Sequence, residues 1–102
     1  MNVVFFDPNI RKFLKGLGEN LNAKVSRMVA LLEDFGNQIG PPHSKKLTRD
    51  IYELRTPGNP TIRLLYTFHW GEAVILHAFM KKTQKTPSRE LEMAIKKAKL
   101  LQ

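Results

Sequence analysis

The stretch Val74-Ile75-Leu76-His77-Ala78-Phe79-Met80-Lys81-Lys82-Thr83-Gln84-Lys85-Thr86-Pro87 constrains this chain more than any other. Apart from His77 it is apolar from Val74 to Phe79. It then turns basic and reaches Thr-Pro. A short apolar run bounded by polar residues reads as a buried strand. Thr86-Pro87 reads as a helix start, with Thr86 as N-cap and Pro87 at the first helical position, where its missing N–H leaves no bond unmade. Lys81, Lys82 and Lys85 therefore leave the end of a sheet within a few residues of one another. Held there by a rigid scaffold, they suit binding of a polyanion and stabilisation of charge on it.

The charge balance points the same way. The chain has 102 residues, 17 Lys+Arg against 9 Asp+Glu, and a formal net charge of +8. One domain is the expectation at this length. The excess of cations favours an anionic partner, nucleic acid first, with a membrane surface or an acidic protein behind it. There are no cysteines, which removes disulfides and cysteine-based zinc sites. Met1 to Asp7 lacks a basic leader region, and its apolar run is too short for a signal peptide. No stretch has the length of a membrane span. A soluble cytoplasmic protein with no membrane partner is expected.

Val3 to Phe6 reads as a short strand stopped by Asp7-Pro8, with Asp7 capping a helix that Pro8 begins. Ile10, Phe13, Leu14 and Leu17 follow at helical spacing. Gly16 and Gly18 interrupt it, and Leu21, Val25, Met28, Val29, Leu32 and Phe35 resume it up to Gly36. This predicts a helical hairpin over 8–35. Residues 36–45, with Gly36, Gly40, Pro41 and Pro42, read as a loop. Strands are predicted over 51–55, 61–69 and 73–80, joined by the turns Thr56 to Pro60 and Trp70-Gly71-Glu72. Leu91, Ala94, Ile95, Ala98 and Leu101 make a C-terminal amphipathic helix. The predicted class is α+β: a four-stranded, mainly antiparallel sheet with an N-terminal helical hairpin and a C-terminal helix, in the order β-α-α-β-β-β-α. The helices are expected on one face of the sheet, leaving the other open to solvent or ligand.

Alternation sorts the strand residues by face. Tyr52 and Leu54, with Ile62, Leu64, Tyr66 and Phe68, belong to the core side. Glu53, Arg55 and Arg63 then share the predicted open face, with Lys82 joining them if it lies on that side. The outcome is a basic groove containing one carboxylate. The bland counterpart is a solvated face of weak Glu–Arg pairs, and the lysine cluster tips the balance towards the groove. His43, His69 and His77 lack metal-ligand spacing, so no metal and no cofactor are expected. His77 reads as a hydrogen-bonded core histidine and Tyr66 as core. Trp70 in its turn could stack on a base, although turn packing is the favoured reading.

Lys46-Leu47, Ile51-Tyr52-Glu53-Leu54-Arg55, Arg63-Leu64-Leu65-Tyr66 and Leu76 to Pro87 together resemble the RelE/ParE toxin superfamily, and within it the phage-derived HigB-type branch. The resemblance covers nearly the whole chain. It implies the toxin of a type II toxin–antitoxin pair, acting as an endoribonuclease that cuts mRNA on the ribosome without a metal. Attack by the 2′-hydroxyl would leave a 2′,3′-cyclic phosphate. The implied partners are a helix-turn-helix antitoxin of the HigA type and ribosome-bound mRNA, with operator DNA reached only through the antitoxin.

By the same resemblance, Arg63 corresponds to an arginine on the scissile phosphate and Arg55 to a catalytic lysine. Glu53 stands where relatives carry a second lysine, and Lys82 lies near a later catalytic arginine. Lys45, Lys46, Lys81, Gln84 and Lys85 would bind the nucleic acid. Relatives also carry a tyrosine, or a His-Tyr pair, near the C-terminus, whereas this chain has Ser88-Arg89 in that region. Glu53 and His43 remain the candidates for general base. Two other functions compete: a ParE-like inhibitor of DNA gyrase, and a noncatalytic nucleic-acid-binding phage accessory protein.

Overall fold

The structure is a computed structural model describing residues 1–81 and 85–101. Five strands and three helices follow one another along the chain. They are β1 (Asn2–Phe5), α1 (Pro8–Lys15), α2 (Glu19–Phe35), β2 (Ser44–Lys46), β3 (Tyr52–Arg55), β4 (Thr61–His69), β5 (Glu72–Lys81) and α3 (Ser88–Lys99), with a 3-10 turn at Gly36–Gln38. Asp7 caps α1 as expected: its Oδ1 accepts the Ile10 N–H at 3.2 Å, and Pro8 opens the helix. Gly36, at φ +56°, ends α2 with its N–H on the Leu32 carbonyl. A side chain would be strained in that backbone region, so glycine suits the stop.

The class is α+β, but the sheet differs from the expected four strands. It is five-stranded and mixed, in the order β1-β5-β4-β3-β2. β1 runs parallel to β5, while the other pairings are antiparallel. β2 was not predicted. It arises at the end of the region read as a loop and runs one residue past it, because Ser44 to Lys46 pair with Leu54 to Tyr52 and so cover the outer edge of β3.

The expectation of an open face is also corrected. α1 and α2 pack on one face, where Ile10, Leu14, Val25, Met28 and Leu32 meet Leu54, Ile62, Leu64 and Tyr66. α3 packs on the other, where Ala94 joins Ile51, Leu65, Val74, Leu76 and Phe79, with Leu91, Ile95 and Ala98 alongside. A strand that is apolar on both faces, as β5 is, requires cover on both. Tyr66 and His77 hold the places expected of them. Tyr66 is fully buried, with its hydroxyl 2.6 Å from Ser44 Oγ and its ring stacked on Tyr52. Burial pushes its pKa up, against the opposing effect of the hydrogen bond with Ser44. His77 lies 3.1 Å from Glu90 of α3 and stacks on Phe79. No helix among the described residues is long and apolar enough to cross a membrane.

Candidate functional site

The α3 face of the sheet is apolar at one end and charged at the other. Sheet register produces the charged end. Lys45 lies opposite Glu53, Arg55 opposite Arg63, and Thr61 opposite Lys81 on three adjoining ladders. Like charges placed directly opposite destabilise a sheet, so the Arg55–Arg63 pair needs a counter-ion. Glu53 is that counter-ion. Its Oε1 accepts hydrogen bonds from Arg63 Nη1 and, at 3.4 Å, from Arg55 Nη2. Its Oε2 accepts the Thr86 hydroxyl.

Burial distinguishes this cluster from a solvated set of ion pairs. Glu53 is 0 % exposed, Arg63 6 % and Lys81 4 %. Arg63 was expected on an open face with no buried charge depending on it; the structure corrects this, because Arg63 and its partner Glu53 are both buried, with Thr86 also bonded to Glu53. Burial pushes the Lys81 pKa below its ordinary 10.5, and the Arg63 charge adds to the effect. Glu53 opposes both, while Lys45 and Arg55 push the same way as Arg63. Four cations thus surround one carboxylate.

Arg55 and Arg63 also line a hollow of about 490 Å³ with His43, Lys24, Arg27 and Thr61. No acidic side chain contributes to its wall. The Nε–H groups of Arg55 and Arg63 are buried without an acceptor among the described residues. Buried donors of this kind are uncommon in folded proteins; Arg55, the more exposed of the two arginines, offers the guanidinium that a phosphate can reach.

Thr86 was expected to cap α3. Instead Pro87 occupies the cap position, and the Thr86 hydroxyl turns to Glu53. A buried carboxylate loses more by lacking a donor than an exposed helix end does. Thr86→Val keeps the shape and removes the donor. A hydrogen bond to a charged group is worth about 1.5–3 kcal/mol, so this variant is expected to lower the urea midpoint with an unchanged m-value. An unaltered midpoint would show that the Thr86 contact holds nothing in place.

Of the residues named from sequence, the structure gathers Glu53, Arg55, Arg63, Lys81 and Lys45. Lys46 turns to the opposite face, its Nζ 5.9 Å from the centre of the Tyr52 ring. Lys85 is exposed beyond β5. Lys82 and Gln84 fall outside the described residues. Lys81, expected among the binding residues, lies within the cluster itself.

A family model described as phage-derived protein Gp49-like matches residues 12–99. The chain belongs to that family. No curated protein matches it. The Gp49-like family is RelE/toxin-like, and the matched span takes in the described members of the charged cluster: Lys45, Glu53, Arg55, Arg63, Lys81 and Thr86.

Proposed function

We propose that this Gp49-like protein is the toxin of a type II toxin–antitoxin pair, of the HigB type, and that it cleaves mRNA on the ribosome. The observation that carries the proposal is the buried Glu53–Arg63–Lys81 cluster beside an acid-free hollow. In-line attack by a ribose 2′-hydroxyl builds negative charge on the phosphate, and cations fixed before the reaction stabilise it. Arg63 and Arg55 present fork-shaped donors, and Lys81 presents a point charge.

Glu53 acts as a positioning residue. It is fully buried, its Oε1 aims the two arginines, and its Oε2 is held by the Thr86 hydroxyl. His43 is exposed and lines the same hollow, which makes it the better placed of the two groups considered for accepting the 2′-hydroxyl proton, a role histidine fills most often. Lys45 and Lys85 extend the basic surface towards RNA. A helix-turn-helix antitoxin neutralises the toxin, operator DNA is reached only through that antitoxin, and the work takes place in the cytoplasm.

Controlled expression without the antitoxin, followed by mapping of mRNA 5′ ends, tests the proposal. Growth arrest with new mRNA ends inside translated frames is expected. Arrest with intact mRNA and inhibited gyrase would replace this function with the ParE-like one. Normal growth would favour the noncatalytic accessory role.

A further inference from the structure

Trp70 is 91 % exposed at the tip of the β4–β5 hairpin, so it packs no turn. Trp70 and Gly71 form the two-residue loop between the paired His69 and Glu72, with φ +51° and +78°. Such a loop favours Asn-Gly, and a bulky residue at positive φ is an outlier that local structure alone does not explain. Trp70 is the chain's only tryptophan. The His69 ring lies against it at 5.8 Å and 35°. Behind the tip, His69 and Lys99 share a hollow of about 330 Å³ with Thr48 and Asp50. The tip lies seven residues along β4 from Arg63, about 23 Å at strand rise.

We infer that Trp70 is a stacking platform for an unpaired nucleobase of RNA, separate from the charged cluster. An exposed indole on a chain of net charge +8 combines the two elements of single-strand recognition: long-range attraction to the backbone and a flat face for a base. The inference rests on RNA being the ligand class, as in the proposed function, but needs no cleavage.

The test titrates the full chain with a single-stranded oligoribonucleotide bearing 2′-O-methyl groups, which cannot be cut, and reads the single indole by fluorescence. Quenching on binding is expected. Trp70→Ala should weaken binding about 5- to 150-fold, and Trp70→Phe should restore part of the loss. Trp70→Asn should weaken binding while raising Tm by a few degrees, because asparagine tolerates positive φ. A merely structural tryptophan would not give that opposition. Indole fluorescence untouched at saturating RNA, unaltered affinity in Trp70→Asn, no RNA binding at all, or quenching by a protein partner alone would each overturn the inference. Trp70-dependent binding without mRNA cleavage would overturn the proposed function and leave this inference standing; cleavage with a silent indole would do the reverse.

Discussion

Arg63→Ala is expected to unfold the protein readily as well as to silence it. Removing one partner of a buried ion pair costs about 3–5 kcal/mol, because the remaining charge stays buried. Arg55 and Thr86 still reach Glu53, so the lower end of that range applies. At about 4–8 °C per kcal/mol for a domain near this size, Tm should fall by about 12–24 °C. Loss of toxicity in this variant therefore says little about chemistry. The pair Arg63→Met with Glu53→Leu removes both charges and keeps much of the volume. Replacing a whole buried ion pair with apolar residues is often neutral or stabilising; Arg55 and Lys81 also lose Glu53 here, so the double variant should regain part of the lost Tm and remain non-toxic. Thermal denaturation beside a growth assay reads both. A folded double variant with full toxicity would show that the cluster serves stability alone.

Lys81 should separate activity from stability in a different way. Its side chain is buried, methionine replaces the stem at similar length, and its part in the proposed reaction is a fixed positive charge. Lys81→Met is expected to lower mRNA cleavage by about 10²-fold or more, the usual loss when one preorganised charge-stabilising donor is removed, and Lys81→Arg should retain part of the activity. The stability signature follows from the lowered pKa. Between that value and 10.5 the unfolded chain holds the proton on Lys81 more often than the folded chain does. Stability of the unaltered protein therefore rises with pH through that window relative to Lys81→Met. Urea unfolding at several alkaline pH values measures the difference. Parallel pH dependences would mean that Lys81 is solvated like a surface lysine.

Much of this site was legible in the sequence. Alternation put Glu53, Arg55 and Arg63 on one face, and the register confirms that they share it. Alternation cannot say whether a face is covered. The apolar residues Ile51, Leu65 and Phe79 on that face, and the apolar stripe of α3, which was expected on the hairpin's face, held the missing information. The place of Lys81 was hidden for a different reason. Alternation counted from Val74 and Leu76 turns the odd-numbered residues of β5 away from the cluster. The ladder skips Leu76, pairing Tyr66 with Ile75 and Leu65 with His77, and this bulge reverses the phase so that His77, Phe79 and Lys81 face inward. A single-residue bulge leaves no mark in composition or periodicity. β2 was missed because three residues beside a Pro-Pro pair carry no strand pattern; their pairing depends on the exposed edge of β3.

The central claim is that fixed cations, with no metal-activated water, carry the cleavage of RNA. The measurement closest to it is the end chemistry of mRNA cut during expression of the protein. Attack by the 2′-hydroxyl breaks the bond to the 5′-oxygen of the next nucleotide. It must leave a 2′,3′-cyclic phosphate on the upstream fragment and a 5′-hydroxyl on the downstream one, and those are the ends this account predicts. Upstream fragments ending in a 3′-hydroxyl, with 5′-phosphate partners, would mean that water attacked in place of the ribose hydroxyl, as in two-metal nucleases, and would contradict it.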